Sequence, residues 1–177
     1  MPPGASDRQM MVVQGERLAL RHLTLADADW IRDLLNDPDF IRHIGDRQVR
    51  TREDAERYLT TGPLASHAAH GFGLNAATLG PDGPPIGIAG VLRRDTLPDP
   101  DLGYALLPGY RGHGMASEAA GLALAHGHEV LGLPRILAIV SPANTASRRI
   151  LARLGFRYEA MHAPPGSTEE VELHAHP

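Results

Sequence analysis

A single mixed α/β domain is predicted, on three observations. Alternating stretches and short apolar runs occupy the middle and both ends of the chain, segments of helical period lie between them, and glycine or proline marks most changes of period. The 177 residues suffice for one such domain with a sizeable core and are too few for two ordinary ones. Residues 1–12 are expected as a loose leader and residues 13–177 as the domain.

The elements follow in order. Gly15 to Leu23 alternates as a first strand. Thr24 then precedes a helix carrying Leu25, Ala28, Ile31, Leu34 and Leu35 at helical spacing. Thr51, with Asp54 three residues on, forms a capping-box signature opening a second helix through Ala55, Tyr58 and Leu59. The period then changes: Phe72 to Leu79 and Ile86 to Leu92 are the strands of a hairpin around Pro81 to Pro85. A turn over Asp95 to Pro100 leads to a strand from Asp101 to Leu107. A glycine loop and a helix from about Met115 to Leu131 follow, with Gly132 and Pro134 placed to end that helix. Arg135 to Val140 is a short buried strand, Asn144 caps a helix to Leu154, and Phe156 to Ala160 and Glu170 to Ala175 are the last strands. The sum is a sheet of about seven strands with about four helices on its faces.

Composition removes several chemistries. The hydrophobic fraction of 42% and charged fraction of 21% are those of a soluble globular protein. No apolar run approaches the roughly 18 residues of a membrane helix, and no basic-then-apolar secretory leader opens the chain, so a cytoplasmic location without membrane partners is expected. A net charge of −4 argues against a nucleic-acid partner held through phosphates. There is no cysteine, and all 17 basic residues are arginine. Thiol catalysis, Schiff-base chemistry and the phosphate-binding lysine of a P-loop are therefore excluded.

The loop at Arg111 to Ala116, "RGHGMA", lies between a strand and a helix. Without Cβ atoms at Gly112 and Gly114, backbone N–H groups can approach an anion closely, and the first helical turn adds donors and a positive dipole end. His113, Met115 and Ala116 would contribute backbone only, and Arg111 a charge suited to phosphate oxygens. A plain strand-to-helix turn without a ligand is the alternative. A P-loop is excluded by the missing lysine. A dinucleotide loop is excluded by Ser117 at its third small position and by the lack of an acidic residue near Gly132.

"RGHGMA" also matches Q/R-x-x-G-x-G/A, and here the chain resembles the GCN5-related N-acetyltransferases (GNAT), more narrowly the RimJ/RimL type. "DLGYALLPGYRGHGMASEA" (Asp101 to Ala119), "ANTASRRILARLGFRYE" (Ala143 to Glu159) and "TREDAERYL" (Thr51 to Leu59) are similar to three of that group's segments, in the same order. The resemblance spans about Gly15 to Ala175. It implies the GNAT fold, with the sheet splayed between its fourth and fifth strands. It further implies acetyl-CoA as cosubstrate and an amine acceptor, either a protein N-terminus or a small molecule. Under it the loop holds the pyrophosphate, Leu106 and Leu107 offer backbone to the pantetheine arm, and Asn144 contacts the cofactor. A homodimer is compatible with this reading.

Asp101, two residues before Gly103 where relatives often carry glutamate, is the expected base, acting directly or through water; a solvent-facing strand-end aspartate is the alternative. Ser147 is the candidate donor to the departing sulfur, though it also sits in the first turn after the cap. Many relatives place a tyrosine acid where this chain has Leu151. A coenzyme A thiolate leaves with little help. With neither cysteine nor lysine to carry the acyl group, direct attack in a ternary complex is expected. A non-catalytic acyl-CoA sensor or interaction module is the competing class.

No metal is expected. His126 and His128 on a helix point about 200° apart, whereas His174 and His176 would share a strand face but lack a third ligand. Arg148, Arg149, Arg153 and Arg157 form a basic face, either solvated or attracting the 3′-phosphate of coenzyme A. Trp30 and Tyr58 are expected as core residues on the two early helices, which the resemblance implies also wall the acceptor pocket.

Overall fold

The computed structural model describes residues 10–177. Its strands are β1 (Met11–Gln14), β2 (Leu18–Arg21), β3 (Leu74–Leu79), β4 (Pro85–Leu92), β5 (Asp101–Leu106), β6 (Ile136–Val140), β7 (Arg157–His162) and β8 (Val171–His176). They form one sheet in the order β1-β2-β3-β4-β5-β6-β8-β7. The helices are α1 (Ala28–Leu35), α2 (Pro38–His43), α3 (Arg52–Thr61), α4 (Pro63–His70), α5 (Met115–Glu129) and α6 (Thr145–Leu154).

The first strand differs from expectation. Gly15 N–H bonds Leu18 O at 2.7 Å, a turn that divides the stretch and folds Met11–Gln14 back onto Leu18–Arg21. Val12 and Val13 pack against the core, so apolar burial draws this segment into the sheet. The last two residues of the expected leader are thus in a strand, and residues 1–9 lie outside the described residues.

The expected helices form, and two short ones join them. Thr51 caps α3 as its capping box requires, its hydroxyl accepting from Asp54 N–H at 3.1 Å while Asp54 accepts from Thr51 N–H at 3.1 Å. α2 and α4 begin on Pro38 and Pro63, where proline's missing N–H costs nothing. Asp37 caps α2 by accepting from Phe40 N–H at 3.2 Å.

The sheet separates two cores. On one face α5 and α6 bury Leu18, Leu20, Ile86, Leu106, Ala119, Ile136 and Leu151; on the other, α1 and α3 bury Ile31, Leu34, Leu35, Leu59 and Ile88. Each fully buried leucine or isoleucine contributes roughly 1.5–3 kcal/mol. Beside the second core, Arg21 and Asp27 form a buried bidentate ion pair, with Nη2–Oδ1 at 2.8 Å and Nη1–Oδ2 at 3.0 Å. Thr24 N–H and Trp30 Nε1–H also donate to Asp27.

β4 and β5 pair antiparallel along the whole of β5. β5 and β6 run parallel and pair only at Asp101↔Leu137, after which they part. This is the expected splay, displaced by one in strand number because β1 precedes the strand predicted first.

Candidate active site

The splay leaves backbone groups of β5 unsatisfied. Leu107 N–H bonds Ile86 O on the β4 side at 2.8 Å, while Pro100 O accepts from Leu137 N–H of β6 at 2.8 Å. Ladder alternation then turns the backbone of Leu102, Tyr104 and Leu106 toward β6. Past the Asp101↔Leu137 pair, Tyr104 and the Leu106 N–H therefore face the gap. The Leu106 carbonyl accepts from Arg111 Nη2 at 2.9 Å and Nε at 3.2 Å. Both backbone groups of Leu107 are engaged, its C=O accepting from Tyr110 N–H at 3.1 Å. Of the two leucines expected to offer backbone, only Leu106 points into the splay, because successive residues of a strand face opposite neighbours.

The glycine loop has the conformation that needs glycine. Gly112 lies at φ +83° and Gly114 at φ +75°, the left-handed region that side chains rarely adopt. Glu118 N–H bonds Gly114 O at 3.2 Å, and the N–H groups of Met115, Ala116 and Ser117 before it are first-turn donors. Arg111 sits differently from its expected phosphate role. Its guanidinium bonds Leu106 O, Asp37 at 2.5 Å and Asp39 at 3.1 Å, tying the loop to α2. The guanidinium beside the loop is instead Arg17, which donates to His113 O at 3.0 Å and pairs with Glu118 at 2.8 Å. Glu118 also accepts from Arg17 N–H and Leu18 N–H, and these bonds hold its carboxyl below the usual range against the opposing effect of burial. Arg17 is about 100 residues away in sequence, and no local motif marks it.

On the α5/α6 side of the splay the structure adds a residue that sequence reasoning missed. Tyr104 reaches Ser147 across the gap, its hydroxyl 2.6 Å from Ser147 Oγ. Burial pushes the Tyr104 phenol above the usual tyrosine range, and the Ser147 bond pulls the other way. Asn144 caps α6, Oδ1 accepting from Ser147 N–H at 3.2 Å, and so fixes where Ser147 stands. Leu151 is 1% exposed in the core, and the hydroxyl that meets Ser147 is carried by β5. The only forward signal was "GYAL" in a strand, whose facing the periodicity allows but whose partner it cannot give.

Asp101 heads β5 on the opposite face. It is fully buried, not a solvent-facing strand end, and both its oxygens accept from Arg94 Nε, at 3.0 and 3.1 Å. Burial raises its pKa, with the Arg94 charge opposing. Arg94 in turn lines a cleft of about 460 Å³ walled by Tyr58 and floored by Leu74 and Leu92. Trp30 lies away from it, donating to Asp27 at 2.8 Å.

The histidine and arginine clusters fall elsewhere. His126 lines a separate cavity of about 320 Å³ with His22 and His67, while His128 bonds His176 at 2.9 Å. Among the described residues no group of three His, Asp or Glu side chains has metal-binding geometry. Arg148 pairs with Glu172 at 2.9 Å. No helix of the described residues is long and apolar enough to cross a membrane.

A splayed parallel pair, a left-handed glycine loop and a helix starting behind it make up an acyltransferase architecture. The family model for the acetyltransferase (GNAT) domain matches residues 17–157, and the chain belongs to this family of N-acetyltransferases. It is 26% identical over 152 residues to the uncharacterized N-acetyltransferase YoaA of Bacillus subtilis, covering 85% of each chain. Its structure is similar to an acetyltransferase of Agrobacterium tumefaciens, at TM-score 0.78 and 29% identity, with 93% and 92% of the two chains covered. In fold it is also similar to Mycobacterium smegmatis RimJ in complex with CoA-disulfide, at TM-score 0.75 and 23% identity, covering 94% and 88%.

Proposed function

We propose that the protein transfers the acetyl group of acetyl-CoA to a primary amine, a protein N-terminus or a small molecule, by direct attack in a ternary complex. The observation that carries this reading is the unpaired β5 backbone lying between the glycine loop and the Tyr104–Ser147 hydroxyl pair. The free first-turn donors fit a pyrophosphate: a Cβ built on Gly112 would meet nothing within 4 Å, so the approach is open. Gly112, Gly114 and the N–H groups of His113, Met115 and Ala116 would hold it, with Leu106 N–H toward the arm and Asn144 beside it. Arg111 serves the loop by anchoring it to α2. The bound molecule supplies an acetyl thioester.

The chain's own groups then move the protons. The amine must lose one as its nitrogen bonds the acyl carbon, and Asp101 accepts it through a water, since Arg94 stands between the buried carboxylate and the cleft. Its raised pKa suits that role. As the C–S bond breaks, Ser147 Oγ–H donates to the sulfur and is resupplied by Tyr104 O–H, the shorter route from a phenol to the leaving group.

Velocities measured with both substrates varied are expected to give intersecting lines and no acetylated protein by intact mass. Parallel lines with an acetylated protein would overturn direct attack. Tyr104→Phe and Ser147→Ala are each expected to lower kcat by about 10- to 100-fold, and their combination by little more, because they form one relay. Multiplicative losses would refute the relay.

A further inference from the structure

We propose that the cleft over Tyr58 is the acceptor pocket and that it selects amines carrying a carboxylate or phosphate close to the amine. This rests on the transferase reading above, and deepens it from amines in general to anionic ones.

The cleft lies over the first half of β5. Leu92, on its floor, pairs with Asp101 in the β4–β5 ladder. A Cβ built on Gly103 would stand 2.9 Å from Leu92 Cδ1 and 3.5 Å from Leu74 Cδ2. The floor therefore touches the strand of the splay from the face opposite Tyr104 and Ser147. An acceptor seated here meets β5 from one side while the hydroxyl pair lies on the other.

Three guanidinium groups line this cleft, those of Arg47, Arg93 and Arg94, and none of its lining residues is acidic. In a chain of net charge −4, whose other arginines mostly carry a carboxylate partner, that concentration is unusual. Among the described residues Arg47 has no ion-pair partner and Arg93 bonds only Pro98 O, at 3.2 Å. Arg94 spends its Nε on Asp101, which leaves its Nη groups for the cleft and makes the buried aspartate an anchor for its orientation. Arg47 and Arg94 both act on the Tyr58 phenol, lowering a pKa that burial raises, so their charges do bear on the same wall.

Planar guanidinium forks recognise carboxylate and phosphate oxygens through paired hydrogen bonds. A plain ammonium would be repelled here, whereas an amine with its own anion is drawn in. The same cationic surroundings lower the pKa of the bound ammonium and favour the free amine that attacks. Two sources offer this chemistry, an acidic peptide N-terminus and a small amino acid or phosphoamine.

The test uses acceptor pairs that differ only in the anion: Ser-Glu-Glu-Ala against Ser-Gln-Gln-Ala, and O-phosphoethanolamine against ethanolamine. Binding to the protein is measured by calorimetry with coenzyme A present, and transfer by thiol release. The anionic member of at least one pair is expected to bind about tenfold or more tightly, and the pair with the larger ratio identifies the source. Arg47→Gln combined with Arg93→Gln is expected to reduce that ratio to about threefold or less. Equal binding within both pairs, or a preference that survives in the double variant, would overturn the proposal. Arginine-dependent anion preference without thiol release for any acceptor would uphold the anion site and remove the transferase reading. Thiol release equal within both pairs, without an anion preference in binding, would remove the anion site alone.

Discussion

Gly114→Val is expected to abolish acetyl-CoA binding, by at least about 100-fold, while the chain stays folded. Gly114 holds φ +75° at the cap of α5, and valine there is a steric outlier costing of order 1–3 kcal/mol. That cost is well below the stability of an ordinary domain. A Cβ built at Gly114 meets only Arg17 Nη2, at 3.6 Å, so the interior is not disturbed and the branched side chain stands on the approach to the first-turn N–H groups. Calorimetric titration with acetyl-CoA, alongside circular dichroism, reads both effects. Gly114→Ala should show a smaller loss and serves as the folded control. Undiminished affinity in a folded Gly114→Val protein would refute the loop as the anion cradle.

Asp27→Ala is expected to cost about 3–5 kcal/mol of stability, the usual result of removing one partner from a buried ion pair. Asp27 is 3% and Arg21 8% exposed, and the variant leaves the guanidinium buried with no carboxylate, keeping only its 3.0 Å bond to His22 O. The Thr24 and Trp30 donors lose their acceptor as well. The pair also has a pH signature. Burial alone would raise the Asp27 pKa, but bonds from Arg21, Thr24 and Trp30 more than offset it and hold the carboxyl below its ordinary value. A folded pKa below the unfolded one gives stability that is present above the unfolded value and lost as pH falls through the folded one. Chemical denaturation between neutral and strongly acidic pH should therefore show wild type losing more stability than Asp27→Ala. Parallel curves, or a loss under about 1 kcal/mol at neutral pH, would show that the pair is not held as described.

The architecture was legible where local chemistry repeats. Thr51 with Asp54, Asn144 before α6, and the turns that bound β4 and β5 each identify an element without its neighbours. The glycine loop was legible for the same reason: positive φ at Gly112 and Gly114 is a property of a few consecutive residues. What escaped depends on contacts with other segments, some adjacent and some distant in the chain. Met11–Gln14 becomes a strand only because Leu18–Arg21 is there to pair with it. α2 and α4 are too short for a period, although Asp37-Pro38 is a cap followed by a helix-starting proline. Arg111 looked like a phosphate ligand until Asp37 and Asp39 appeared beside it. Tyr104 carried no sequence signal for its partner Ser147, and for Asp101 burial and Arg94 rule out the solvent-facing alternative to the expected base. For Arg111 and Tyr104 the partner lies 74 and 43 residues away, and for Asp101 it is a neighbouring residue of the β4–β5 connection; in each case that partner decides the use.

The splay, the loop and the two faces of β5 are proposed to make a catalyst together. This is tested most directly by amine-dependent thiol release from acetyl-CoA, followed together with N-acetylated product by mass spectrometry over a panel of peptides and small amines. The prediction is thiol and acetylamide in equal amounts, only when an acceptor is present, and sharply reduced in Asp101→Ala. Acetyl-CoA binding with no thiol release for any acceptor, unaltered by Asp101→Ala, would contradict it and mark the protein as a binder of the thioester.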